Sequence, residues 1–521
     1  MNDNVSFDNG QLFLNLAMPI DVKVDGTVES LKRLIWSLDY SGFGRSGKKK
    51  AGRPSAIEPQ RMMTIIVYGY MNGQTSSREL EWFCGTNLVC QHLLGTARVP
   101  DHATFDRFIR GNHDAIAGIL AQMVKALDEA GELDHNIVFQ DGTKIESVAG
   151  RYSFVWLSAL EKNIPRLIGH IREIPGCGDA TEADALKLLD ASINAMEERG
   201  VRMPEKTGRG IRNTKDSMVL KEAVGQRDKL RRYILWEEEM KGSGRNSLSK
   251  TDADATFMRM KEDHMRNGQL KPAYNVQNIV ANGYVIGTYV SSDRTDYHTM
   301  VPAMDKLKDE VGYEFKGYCA DSGYDCGENY TWLEKNKKAS YIKTQTYETS
   351  KKRSCKADPS RKQNYSYDGE TDSFTCMHGT RLTRVPGKVD HKGNDLYEAS
   401  SGCDTCPFRK ACMKAQSGKD GFKRLWINIA TEKQRRRSEA NFTTGDGPIV
   451  RVNRSIQAEG SFSMIKDGMG FRRFSYHGKG NCETQWNLLC IAANVLRFSY
   501  RSQANKLGTP QWFTGEEKKT A

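Results

Sequence analysis

Apolar positions recur at helical spacing in several early stretches of the chain, beginning with Glu58 to Tyr70 (EPQRMMTIIVYGY) and Ser77 to Phe83. Asp101 stands where a helix cap belongs, just ahead of FDRFIR, and a further helix is expected over about Ala115 to Ala130. From Met1 to about Arg110 the reading is therefore helical with polar breaks. The first clear strand is Ile137-Val138-Phe139, expected to end on Gln140-Asp141 with Gly142 turning the backbone away. A charged, mainly helical region follows, closed by the Gly/Ser-rich KGSGRNSLSK. Strand patterns return at Ala273 to Val280 and Tyr284 to Val290 around a tight Ala281-Asn282-Gly283 turn. A helix (about Met300 to Val311), a strand (Lys316 to Ala320), a helix (about Gly327 to Lys337) and a strand at Ser340 to Lys343 complete a mixed α/β sheet. Residues from Thr344 to about Lys423 are polar, turn-rich and expected to lack a core of their own. Helical pattern resumes from Thr431, and a final apolar helix is expected over Thr484 to Tyr500.

The length of 521 residues is enough for two to four compact units, and the apolar fraction of 38% supports real cores. Net charge changes the picture: +12, with a pI near 9.0, favours a polyanionic partner. The excess is concentrated in Arg45 to Arg53, five bases without an acid, and Lys433 to Arg437, four bases without an acid. Such runs suit phosphate contacts, although solvated basic runs are also common on protein surfaces. Neither a signal sequence nor an apolar run long enough for a bilayer is visible, so a cytoplasmic protein without membrane partners is expected. In that compartment its 12 cysteines read as thiols or metal ligands rather than disulfides.

Candidate chemistry lies in acids at strand ends. Asp141 and Asp321 (Cys-Ala-Asp-Ser-Gly) occupy similar surroundings, and two carboxylates on neighbouring strands repel unless a hard cation is bound. Glu459 lies on a predicted helix with Lys466 seven residues on, hence on one face; Glu toward a metal and Lys toward a phosphate suit phosphodiester chemistry. Any one of these acids alone is more often a surface residue. Cys403-Asp-Thr-Cys406, with Cys412 after it and Cys376 before it, is spaced for a four-thiolate zinc site, with Cys355 and His378 in reserve; reduced free thiols are the alternative. No P-loop and no pairing of Cys or Ser with His suggests ATP-driven or acyl-transfer chemistry.

The segments DGTKIES, RYSFVW, GYCADSGYDCGENY and NRSIQAEGSFSMIKDGMGFRRF closely resemble the DDE transposases of bacterial insertion sequences. The resemblance is greatest to the branch with a helical N-terminal domain and a cysteine-bearing insertion, and extends over about residues 40 to 500. It implies an RNase H-like core with Asp141, Asp321 and Glu459 as the metal-binding catalytic acids. The implied cofactors are two Mg²⁺ (or Mn²⁺) ions, with a structural Zn²⁺ in the insertion, and Lys466 would clamp DNA phosphate. The signature's Arg stands four residues before Glu; here Ser455 occupies that position, Arg454 lies one earlier, and Val452 replaces the expected Tyr. Arg454 and Arg53 are the further DNA-binding candidates, Arg53 beside the Gly52-Arg53-Pro54 hinge of a helix-turn-helix-like region.

The domains implied are 1–130, helical and DNA-contacting; 131–343, the first part of the core with a helical insertion at about 154–250; 344–425, cysteine-rich and zinc-ribbon-like; 426–500, the core's C-terminal helices; and 501–521, a polar tail. The function implied is cleavage of transposon ends and joining of the 3′-hydroxyl to target DNA. Double-stranded DNA is the partner, and a homodimer on paired ends is expected from the reaction class. The alternatives are a zinc-containing DNA-binding protein no longer able to cut, and a metal-dependent nuclease without strand transfer.

Overall fold

The computed structural model describes residues 5–8, 11–14, 26–44, 57–150, 152–204, 213–260, 268–391, 393–413 and 421–512. The chain opens not on a helix but on an antiparallel ribbon, β1 (Val5–Asp8) with β2 (Gln11–Leu14). Six helices follow: α1 (Gly26–Leu31), continued by a π-turn at Lys32–Trp36, then α2 (Pro59–Met71), α3 (Ser77–Thr86), α4 (Leu88–Leu94), α5 (His102–Gly111) and α6 (His113–Glu129). Ser76 and Glu79 close a reciprocal capping box on α3, and Asp101 caps α5 through the Thr104 N–H. Of the helices expected to form a groove reader, α2 is buried from Met62 to Met71 on nearly every face, which leaves it no surface to offer a groove. Arg53 and the whole Arg45–Arg53 run fall outside the described residues.

The central sheet is built from β3 (Ile137–Glu146), β6 (Thr256–Arg259), β7 (Leu270–Ala281), β8 (Tyr284–Ser291), β9 (Gly317–Ala320) and β10 (Ala339–Ile342). Its order is β10-β9-β3-β7, with β8 and β6 pairing on β7. Strands β3, β7 and β8 are antiparallel neighbours, whereas β9 and β10 run parallel to β3. Helices α10 (Met300–Glu310) and α11 (Gly327–Lys335) make the parallel crossovers. Between β7 and β8 the chain turns at Asn282 (φ 46°) and Gly283 (φ 82°), the two left-handed residues a tight hairpin needs.

Between β3 and β6 a short ribbon of β4 (Phe154–Trp156) and β5 (Ser247–Ser249) closes a helical unit of α7 (Leu157–Ile171), α8 (Ala185–Glu198) and α9 (Lys215–Gly242). This unit has its own core around Leu167, Ile171, Leu189 and Leu220. The cysteine-bearing segment differs from expectation. After the single turns α12 (Tyr347–Ser350) and α13 (Arg353–Lys356), an antiparallel five-stranded sheet forms from β11 (Ser366–Asp368), β12 (Ser373–Thr375), β13 (Arg381–Val389), β14 (Asp395–Ala399) and β15 (Arg424–Ile427). It does have a core: Tyr365, Phe374, Leu382, Tyr397, Leu425 and Ile427 are buried together. The short turn α14 (Arg409–Cys412) lies between its last two strands.

The C-terminal helices are α15 (Ile429–Thr443), α16 (Gly447–Arg454), α17 (Gly460–Ser463) and α18 (Lys479–Gln503). Two π-turns, Ser455–Glu459 and Met464–Gly468, flank α17 and join it to α16 in one continuous run. Apolar residues of α2, α5 and α6, of β7 to β9, and of α18 all belong to a single core, with Trp486 of α18 fully buried at its centre. Past α18, the described residues up to Trp512 pack back onto the sheet. Gln511 bonds Asn282, and Trp512 packs on Phe139. Among the described residues, no helix is long and apolar enough to cross a membrane.

Candidate active site

Register places the first two acids. Ile137, Val138 and Phe139 of β3 pair in parallel with Gly317, Tyr318 and Cys319 of β9. Asp141 and Asp321 each follow the last of these pairs by two residues, so by the alternation of the strand their side chains fall on the same face as Phe139 and Cys319. The route differs from the one expected. Strand β3 runs on through Asp141 and Gly142 to Glu146, opposite Asn278 and Gln277 of β7, while β9 stops at Ala320. Gly142 is therefore required for space rather than for turning. A Cβ there would lie 2.2 Å from Gln277 Nε2 and 2.5 Å from Asp296 Oδ1.

Asp141 accepts the Gly142 N–H at 2.9 Å, and Asp321 caps a short turn by accepting the Gly323 N–H at 2.8 Å. Burial pushes the Asp141 carboxyl up to about 6; the Arg454 guanidinium opposes this, and the Asp321 and Asp296 charges add to it.

Glu459 reaches the same place through Arg454. One guanidinium nitrogen lies 3.8 Å from Asp141 Oδ2, and another bonds Glu459 Oε1 at 2.9 Å. Burial works against the Arg454 charge, yet Asp141, Glu459 and Asp321 together hold its pKa above the usual arginine value. The missing signature spacing has a physical cause. A π-turn takes an extra residue per turn, so Arg454 and Glu459, five apart, come onto one face as residues four apart do on an α-helix. Buried Gln457 and Ser461 anchor this turn to the sheet, accepting from Gly283 N at 3.0 Å and from Asn278 Nδ2 at 3.1 Å.

Lys466 lies in the second π-turn and donates to Thr143 Oγ1 at 2.7 Å, two residues past Asp141. Both line a groove of about 450 Å³ with Lys144, Lys271, Arg294 and Arg472, together with Glu146 and Asp296. Asp296, which the sequence did not single out, lies five residues past the end of β8 in the polar run SSDRTD.

The cysteines predicted as ligands also meet. Cys376, Cys403, Cys406 and Cys412 line one cavity of about 20 Å³ together with His378, without Cys355. Cys376 Sγ accepts the N–H groups of His378 (3.4 Å) and Thr380 (3.3 Å). Tyr365 packs its hydroxyl 3.4 Å from Cys412 Sγ. As the side chains stand, no group of three or more His, Cys, Asp or Glu among the described residues is drawn together tightly enough to hold a metal ion. At the acids, the Arg454 guanidinium supplies the positive charge, and the part-buried Asp141 carboxylate, raised by the Asp321 charge beside it, has the donor chemistry of a hard divalent cation's ligand.

Two family models match the chain. One, described as Transposase DDE domain, matches residues 375–499, a span that holds Arg454, Glu459 and Lys466. The other, Transposase domain (DUF772), matches residues 22–111. No curated protein and no solved structure matches.

Proposed function

We propose, for a chain that carries the domains of an insertion-sequence DDE transposase, that it cuts the ends of its element and joins the freed 3′-hydroxyl to target DNA. The observation that carries this reading is the meeting of three distant acids. Asp141 on β3 and Asp321 just past the end of β9 each lie two residues beyond the paired Phe139 and Cys319, and Arg454 ties Asp141 to Glu459. The sheet order, with three antiparallel strands followed by two parallel ones, supports an RNase H-like core.

In this reading Asp141, Asp321 and Glu459 hold two divalent cations of the Mg²⁺ class, which when bound activate the attacking oxygen and offset charge on the leaving one. Asp141 and Asp321 are fixed by the sheet and change little on binding. Glu459 is more than half exposed and sits on a helix turn, so it can follow the substrate. Arg454 balances the carboxylates before DNA arrives and then becomes available to a phosphate. Lys466, steadied by Thr143, places a DNA phosphate beside the acids without reading its sequence. The basic groove beyond them follows the strand. We read Cys376, Cys403, Cys406 and Cys412 as a structural zinc set, supported by their common cavity and the two N–H groups on Cys376. Transposon ends come in pairs, so we assign a homodimer to the active complex.

The test is to incubate the protein with Mg²⁺ and a duplex carrying the sequences that flank its gene. Wild type should nick the duplex and join it to a supercoiled plasmid, whereas Asp321→Ala should bind the duplex and do neither. A second reading, a DNA-binding protein that no longer cuts, draws on the exposure of Glu459 and its pairing with Arg454. It predicts binding by both proteins and cleavage by neither. Nicking without joined product would mark a nuclease instead.

A further inference from the structure

Each residue around Arg454 has an apolar neighbour in one small cluster. Phe139 precedes Asp141 by two residues along β3, on the same face, and Cys319 stands in the same relation to Asp321. Ala458 directly precedes Glu459, and Val450 lies one helical turn before Arg454 on α16. These four side chains are buried together, apart from the main core, with Ile137, Tyr341 and Trp512 packed against them. The π-turn that carries Glu459 therefore rests, through this cluster, on the two strands that lead to Asp141 and Asp321.

Trp512 comes from neither the sheet nor the α16–α17 run. Its ring lies 5.7 Å from that of Phe139, centroid to centroid, and its indole N–H donates to the Asp134 carboxylate just ahead of β3. The preceding residues fix it. Gln511 donates its backbone N–H to Asn282 Oδ1 at 2.6 Å and its side-chain amide to the Asn282 carbonyl at 2.5 Å, and accepts from Arg497 Nη1 at 2.9 Å. Arg501 donates to the Thr509 carbonyl at 2.6 Å, and the Gly508 N–H donates to buried Glu132. The tip of the β7–β8 hairpin is thus gripped twice. Gln511 holds Asn282, while Gln457, in the Glu459-bearing turn, accepts the Gly283 N–H at 3.0 Å.

We propose that Trp512 is a positioning residue for the acid site, filling the cluster beneath Arg454 and Glu459 and so holding their turn in place over Asp141 and Asp321. This rests on the reading of those acids as the cleaving site. Glu459 is more than half exposed and is bonded by Arg454 of the same turn, so its place relative to the sheet depends on how the turn is seated. Without the indole, the cluster loses its largest side chain and the turn can shift. A displacement of about 1 Å at a reacting centre costs about a hundredfold in rate.

The experiment compares Trp512→Ala and Trp512→Phe in the full-length protein, with Mg²⁺ and the flanking duplex. Single-turnover nicking gives the rate, duplex titration gives the affinity, and hydrogen exchange without DNA reports on the Ser455–Glu459 turn. Trp512→Ala should raise exchange in that turn but not in α2 or β7, and slow nicking about ten- to a hundredfold at wild-type affinity for the duplex. Trp512→Phe should recover most of the rate. Leu189→Ala, in the separate core of α7–α9, is the control for lost stability: it should melt lower and nick as wild type does. Gln511→Ala, which loosens the segment but keeps the ring, should slow nicking by a smaller factor, and it decides the matter if Trp512→Ala does not fold. Unchanged exchange in the turn, or an unchanged nicking rate, overturns the inference and leaves the three-acid site standing. Equal slowing in Leu189→Ala overturns it too, since the effect would then be one of stability. If wild type itself cuts nothing, the cleaving reading fails and the positioning role of Trp512 falls with it.

Discussion

Asp141 carries the clearest electrostatic signature in the molecule. Its carboxyl is pushed up to about 6 by burial and by the neighbouring acids, against the pull of Arg454. A raised carboxyl pKa means that the folded chain keeps this proton to higher pH than the unfolded chain does. Its stabilising contribution is therefore complete below about pH 4 and is lost as the pH climbs through about 6. The difference is worth about 3 kcal/mol between those limits. In EDTA, Asp141→Asn should melt higher than wild type at pH 7.5, and the gap should close toward pH 4; a variant melting lower at pH 7.5 would contradict the account. Space is equally restrictive one residue on. Gly142→Ala would drive a methyl into Gln277 and Asp296, and we expect a loss of about 1–3 kcal/mol in urea unfolding together with loss of DNA cleavage. Asp141, Asp321 and Glu459 were legible as candidates because their neighbours repeat a known pattern. Asp296 was not, because nothing in SSDRTD tells which of its acids the fold turns inward.

Among the elements, the hairpin between β7 and β8 and the mixed α/β character of the sheet could be read directly, from Asn282-Gly283 and the alternation of strand with helix, whereas the strand order could not. The length of β3 could not. Its strand pattern is interrupted by Gln140-Asp141-Gly142, and only pairing with β7 keeps those polar residues extended. The displaced Arg454 was unreadable for a related reason, because an extra residue in a helix appears in sequence as a broken spacing, while the π-turn absorbs it. The five-stranded sheet was hidden by its short strands and charged outward faces, although Phe374, Leu382 and Tyr397 point into one core. That small core makes the cysteines testable at this scale. Purified protein should contain zinc by atomic emission, and Cys403→Ser should lower the zinc content and open the 344–427 region to protease. Wild-type protein free of zinc would contradict the assignment.

For the molecule as a whole, the main consequence of the packing is that N-terminal helices and central sheet are not separable bodies. Residues of α2 and α6 share a core with β7, β8 and α18. Trp486→Ala should cost about 3–5 kcal/mol and raise amide exchange in α2 and β7 together, while the separately cored α7–α9 unit keeps its protection. The same packing brings residues 141, 321 and 459 around Arg454, and their convergence on one cation site is the central claim. Iron(II) bound in place of Mg²⁺, with ascorbate and peroxide, cuts the polypeptide where the ion sits. Mapped on the complex with duplex DNA from the flanks of the gene, the account predicts cuts clustered near Asp141, Asp321 and Glu459 that disappear in Asp321→Ala. Cuts near Asp141 and Asp321 with none at Glu459, or a pattern unchanged by Asp321→Ala, would contradict it.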